Sequence, residues 1–281
     1  MQRCNMKFMT TFLPDAETAR SAIYTDGITA LKGAFSPEWA DAMREDIEVA
    51  FAEAIDRPGG AVGRGPKRYY VEIHPEQLRG FTDLVTHPWL VAVCTAVLGP
   101  RYEIVELGFD IPFAGAVNQP WHRDFPMPAV TREQGRLDSL AFNLTGVDTT
   151  DDMGPFEIAP GTQFDDSPEF GHDMFPPKTH YARYNELAVR KYPQRGDMSA
   201  RSALTIHRGT ANRSELSRPV LVLGVDAPDA TNGDKHAMAV TRGYWETLPQ
   251  LVKDHLHCPV VDTLTPITQK HTIEGLVMGD A

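Results

Sequence analysis

The chain has 281 residues, 42% of them hydrophobic, and its 38 acidic against 27 basic side chains give a formal charge of −11. That length and apolar content suit one domain, read over 1–281, and the negative charge argues against nucleic acid or an anionic membrane surface as partner. Cys4, Cys94 and Cys258 share no metal-type spacing, Phe8–Leu13 is too short and polar for a secretory core, and no apolar run reaches the span of a bilayer, so a cytoplasmic protein is expected.

In chain order, a helical scaffold is expected over about 1–100. Ser36-Pro37-Glu38 opens a helix with an N-cap, a first-turn proline and an acid beside the positive dipole end. Ala40, Met43, Ile47, Ala50, Phe51 and Ala54 then recur at helical spacing and form one buried stripe. The glycine-rich stretch from Gly59 to Gly65 reads as a mobile loop entering a strand at Arg68-Tyr69-Tyr70, and a second helix is placed over Thr86–Leu98 before Gly99-Pro100. From Arg101 onward short β-runs follow: Tyr102–Phe109, Leu137–Val147, Phe156–Ala159, Met198–His207 and Val220–Val225. This punctuation predicts a mainly β protein, closed or double-sheeted, with flanking α-helices. The barrel core is assigned to about 101–227 and a C-terminal extension to about 228–281. Pro168–Tyr184 reads as a long surface loop, as fit for an ordinary connection as for covering a pocket.

The chemistry concentrates in His122-Arg123-Asp124, His207 and Arg218. Side chains two apart on a strand share a face, so His122 and Asp124 could chelate one ion, with a third ligand from elsewhere in the fold. A hydrogen-bonded His–Asp pair is the ordinary alternative, and ten histidines produce about one His-x-Asp by chance, so context must carry the claim. Two imidazoles and one carboxylate on one face of an octahedron leave positions open, as in non-haem Fe(II) oxygenases, although zinc accepts the same donors. On the strand holding His207, Ala203 and Thr205 share its face and are small, whereas Leu204 and Ile206 point away. Arg218 shares a face with Val220, Val222 and Gly224, and a buried guanidinium needs an anion such as a carboxylate. Asp148–Gly154 lacks the ligand pattern of a calcium loop and reads as a solvated turn. His255-Leu256-His257-Cys258 has no fourth ligand nearby, and phosphate-loop and serine-hydrolase motifs are absent.

These segments, with Gly154-Pro155-Phe156-Glu157-Ile158-Ala159-Pro160-Gly161-Thr162, His207–Ser214 and Arg218-Pro219, resemble the phytanoyl-CoA dioxygenase-like family of Fe(II)/2-oxoglutarate oxygenases. The resemblance runs over about residues 22–227 and includes Asp26–Gly33, similar to the family's opening strand. It implies a double-stranded β-helix, the jelly-roll or cupin-like barrel. It further implies iron held by His122, Asp124 and His207, with Arg218 binding the distal carboxylate of 2-oxoglutarate and dioxygen as the other co-substrate. Thr210 is the nearest hydroxyl to share that carboxylate, one residue later than the family's usual position, and Asn143 is placed near the co-substrate.

The implied reaction is hydroxylation of an unactivated C–H bond of a small polar metabolite, releasing succinate and carbon dioxide. Desaturation, cyclisation or demethylation at the same site, or a non-enzymatic cupin-like binding protein, are the alternatives. Asp124 argues against halogenation, since related halogenases lack that carboxylate. Arg68, Tyr69 and Tyr70, with Trp121, Arg123 and Phe125, are the candidate substrate contacts.

Overall fold

The structure is a computed structural model and describes residues 15–230 and 236–269. Cys4, Phe8–Leu13 and the last part of the C-terminal extension lie outside the described residues. Helices α1 (Ala16–Asp26), α2 (Pro37–Ile55), α3 (Phe81–Val85) and α4 (Pro88–Leu98) supply the scaffold. The Ser36 hydroxyl accepts from the Trp39 amide at 3.2 Å, and Ala40, Met43, Ile47, Ala50 and Ala54 of α2 are buried, as their spacing predicts. The second predicted helix begins two residues late, because α3 ends at Val85 and His87 caps a new helix with Pro88 in its first turn.

Strands β1 (Ile28–Leu31), β2 (Val62–Gly63), β3 (Arg68–Glu72), β4 (Glu103–Pro112), β5 (Ser139–Thr145), β6 (Phe156–Ile158), β7 (Val189–Lys191), β8 (Met198–Ser202), β9 (His207–Gly209) and β10 (Val220–Asp226) form two sheets. The larger is antiparallel in the order β1-β8-β5-β10-β4-β3-β2, and the smaller is β7-β6-β9. Met198–His207, expected as one run, is broken: Ala203-Leu204-Thr205 turns the chain from β8 in the large sheet to β9 in the small one. The glycine-rich loop before β3 is the connection of a β2–β3 hairpin, in which Val62 pairs with Tyr70.

Period-two alternation sorts the large sheet. Leu140, Phe142 and Leu144 of β5 and Leu221, Leu223 and Val225 of β10 join the buried core with Ile23, Ile47, Trp89 and Val93 of the helices. The intervening residues face a cavity of about 610 Å³ between the sheets. The C-terminal extension closes onto β3, where the amides of Ala237 and Met238 donate to the Glu72 carboxylate and that of Ala239 to His74 Nδ1. Among the described residues no helix is long and apolar enough to cross a membrane.

Candidate active site

His122 and His207 face each other across a single antiparallel bridge, with amide-to-carbonyl distances of 3.0 and 2.8 Å. The segment around His122 is not the strand expected, yet its amides alternate as in one: those of His122 and Asp124 donate to His207 and Ala203, that of Arg123 to Met174. That alternation turns His122 and Asp124 to the same side. One nitrogen of each histidine and one oxygen of Asp124 lie within 4.8 Å of one another.

Each ring is held the same way. His122 Nδ1 lies 2.8 Å from the Pro120 carbonyl and His207 Nδ1 lies 2.9 Å from the Thr205 carbonyl. A carbonyl only accepts, so both Nδ1 atoms carry hydrogen and the Nε2 atoms are the positions that can bind an ion. Burial, then the neighbouring His207, push the His122 imidazole down to about 3, so it stays neutral. Burial alone would raise the Asp124 carboxyl, but the neighbouring charges, the Arg201 guanidinium foremost, outweigh it and hold the group well below the usual carboxylate range. Arg201 donates to Oδ2 of Asp124 at 2.6 Å, leaving Oδ1, 3.3 Å from His207 Nε2, for an ion. Two imidazole nitrogens and an ionised carboxylate, converging from one side on a cavity, fit ferrous iron with open positions.

Arg218 lines the same cavity and is buried. Its Nε donates to the Met153 carbonyl at 3.2 Å, and no carboxylate among the described residues forms an ion pair with it. Burial, then the nearby Arg68, push its guanidinium down to about 10, with the Asp110 carboxylate offsetting only part of that. Asn143 also lines the cavity, from β5 beside Val222.

Other expectations meet corrections. The Thr210 hydroxyl donates to the Pro155 carbonyl at 2.6 Å, and Thr210 is not part of the cavity wall. Arg68 and Tyr70 face the cavity, but Tyr69, one step along β3, faces outward and packs on Phe51 and Phe113. Trp121 is fully buried away from the cavity with Ala159, Phe170, Tyr184 and Ile206, its indole donating to Asn185. Arg123 reaches the wall, yet its guanidinium is committed to the carbonyls of Asp165 and Asp173 and to the Phe170 ring, so it fastens the 165–175 segment. That segment places Met174 and Phe175 on the cavity, and Phe125 lines it as well. Thr205 does not share the face of His207; its hydroxyl donates to the Gly27 carbonyl.

Sequence reasoning missed Arg201, Glu106, Asp110, Asp226 and His236, all of which line the cavity. Their signal is polar residues in phase within apolar strands, as in Arg68-x-Tyr70-x-Glu72 and Glu106-x-Gly108-x-Asp110.

The sequence matches the family model described as phytanoyl-CoA dioxygenase over residues 23–220. No curated protein matches it. Among solved structures, the carbocyclase SnoK from nogalamycin biosynthesis, described as non-heme and alpha-ketoglutarate-dependent, superposes with a TM-score of 0.62 at 18% identity, covering 77% of this chain and 87% of its own. EctD from S. alaskensis, with 2-oxoglutarate and 5-hydroxyectoine, gives 0.60 at 16% identity, with 79% of each chain covered. HygX from Streptomyces hygroscopicus, with nickel and 2-oxoglutarate bound, gives 0.57 at 15% identity, covering 79% of this chain and 90% of its own. At these identities the likeness establishes the double-stranded β-helix fold.

Proposed function

This chain belongs to the phytanoyl-CoA dioxygenase family, and from that premise we propose that it is an Fe(II)/2-oxoglutarate-dependent oxygenase that hydroxylates an unactivated C–H bond of a small molecule. The observation that carries the reading is the pairing of a His122, Asp124 and His207 donor set with a buried Arg218 that forms no ion pair among the described residues, on one cavity. Ferrous iron bound there, together with 2-oxoglutarate and dioxygen, supplies oxidation of the C–H bond with release of succinate and carbon dioxide.

The protein's part is positioning. His122 and His207 present Nε2 atoms fixed by their backbone hydrogen bonds, and Arg201 keeps Asp124 ionised and oriented. Arg218 offers a two-point donor to the distal carboxylate of 2-oxoglutarate, with Asn143 further along the same wall. Met174 and Phe175 place apolar surface over the metal side, where the Phe175 ring lies 5.9 Å from that of His122 and limits access of water. Asp124 keeps a carboxylate in the donor set, which favours hydroxylation over halide transfer. The test is Fe(II)-dependent conversion of 2-oxoglutarate to succinate. Wild-type protein is expected to turn over slowly without substrate and His207→Ala is not; equal succinate release by both would overturn the assignment.

A further inference from the structure

The inward residues of β10 run Val220, Val222, Gly224, Asp226, and Arg218 precedes them in phase. Arg218 and Asp226 are eight residues apart, roughly 25 Å along an extended strand, so they mark opposite ends of one wall. A path of backbone pairing connects the Asp226 end to the metal loop. Asp226 pairs with Ser139, whose carbonyl accepts from the Ala203 amide, and the Ala203 carbonyl accepts from Asp124.

That end is acidic. Glu106 and Glu72 converge there from β4 and β3, with His236 between them at 3.8 and 3.7 Å. Glu72 is satisfied by backbone amides, and Tyr70 donates to Glu106. Two glycines make room: a Cβ on Gly224 would lie 2.7 Å from the Glu106 carboxylate, and one on Gly108 2.6 Å from the Tyr70 hydroxyl. Of the neighbouring arginines, Arg68 pairs with Asp110 at 2.8 Å, Arg201 pairs with Asp124, and Arg64 lies over the Tyr70 ring. Among the described residues, Asp226, Glu106 and Glu72 therefore gather around one imidazole, and the side chains nearest His236 are predominantly acidic.

Asp226 has no comparable support. It is 1% exposed and lines the cavity, and no donor among the described residues meets either carboxylate oxygen with hydrogen-bonding geometry. The Ser139 hydroxyl opposite softens its charge only in part. A buried, unpartnered carboxylate is costly unless a ligand completes it. The dianion 2-oxoglutarate would be repelled here. A second metal is not indicated, since among the described residues only His122, Asp124 and His207 converge closely enough to hold an ion.

We propose that the second substrate carries a cationic nitrogen, which Asp226 and Glu106 receive at the end of the cavity remote from Arg218. Its placement as a substrate group rests on the oxygenase reading above. Such a contact would anchor the substrate by its charged end and leave its hydrocarbon portion beside the metal donors, along the wall formed by Ala141 and Val222.

The test is saturation-transfer NMR of the full-length protein with primary amines from propylamine to cyclohexylamine, each compared with its matched alcohol and carboxylate. The amines are expected to bind at least ten-fold more tightly than their partners, and Asp226→Asn and Glu106→Gln each to reduce that preference to under three-fold. Amines that bind no better than the alcohols, or a preference untouched in both variants, overturn the proposal. Asp226→Asn is also expected to retain the visible band formed with Fe(II) and 2-oxoglutarate. Wild-type protein that lacks this band but keeps its amine preference would defeat the oxygenase reading and leave the cation-binding site standing.

Discussion

Arg201 does its work through Asp124. It is buried, donates to one carboxylate oxygen and so selects the other for the ion. Arg201→Ala is expected to weaken Fe(II) binding by roughly 10–100-fold while the fold persists, as loss of an outer support to a metal ligand does. Unchanged affinity by equilibrium dialysis would show that Asp124 needs no such support. At Asp226 the consequence is one of stability. Burial raises its carboxyl to about 7, whereas the unfolded chain releases that proton near 3.9. Between those values the folded state holds more protons, so stability falls as pH rises through the window. Asp226→Asn removes the fall, and its stability relative to wild type should therefore rise by roughly 2–4 kcal/mol from pH 4.5 to 8 in urea titrations. A constant difference across that range would contradict the buried, unpaired carboxylate. Extending the alternation already visible at Arg218, Val220, Val222 and Gly224 by one more step reaches Asp226. What no sequence pattern states is that Glu72, Glu106 and His236, from 72 to 236, meet it at one end.

Among the elements, α2 was readable because its cap, first-turn proline and apolar period agree. The metal loop was readable as chemistry but not as structure. His122 lies in an isolated bridge, and its strand-like alternation comes from amides donating to Met174, Ala203 and His207, which are distant in the chain. Distance also hid the role of Arg123, a charged residue beside two ligands that resembles a substrate contact in sequence and is a fastener in space. Its guanidinium satisfies the Asp165 and Asp173 carbonyls that hold the segment with Met174 and Phe175 over the cavity. Arg123→Met should cost about 2–4 kcal/mol and speed hydrogen exchange across 165–175, with β10 still protected. Uniform exchange rates in variant and wild type would mean that the segment is held by other contacts.

At the scale of the entire chain, the architecture follows from one constraint applied to many short strands. One face of the large sheet is apolar and takes the helices; the other is polar enough to line a cavity instead of closing on the small sheet. The run of short β-segments announced the barrel, while the break at Ala203-Leu204-Thr205 had no strong turn signal, because Leu204 is turned into the core and Thr205 bonds to Gly27. The molecule thus separates three charges along one cavity: a cation at Arg218, a donor set at His122, Asp124 and His207, and carboxylates at Glu106 and Asp226. The most direct measurement is the visible spectrum of anaerobic protein titrated with 2-oxoglutarate in the presence of Fe(II). A metal-to-ligand charge-transfer band is expected for wild type, absent in His122→Ala and requiring roughly 10–100-fold more 2-oxoglutarate in Arg218→Ala, as removal of a two-point carboxylate contact implies. No band in wild type, or one that forms at the same 2-oxoglutarate concentration without Arg218, would contradict the account.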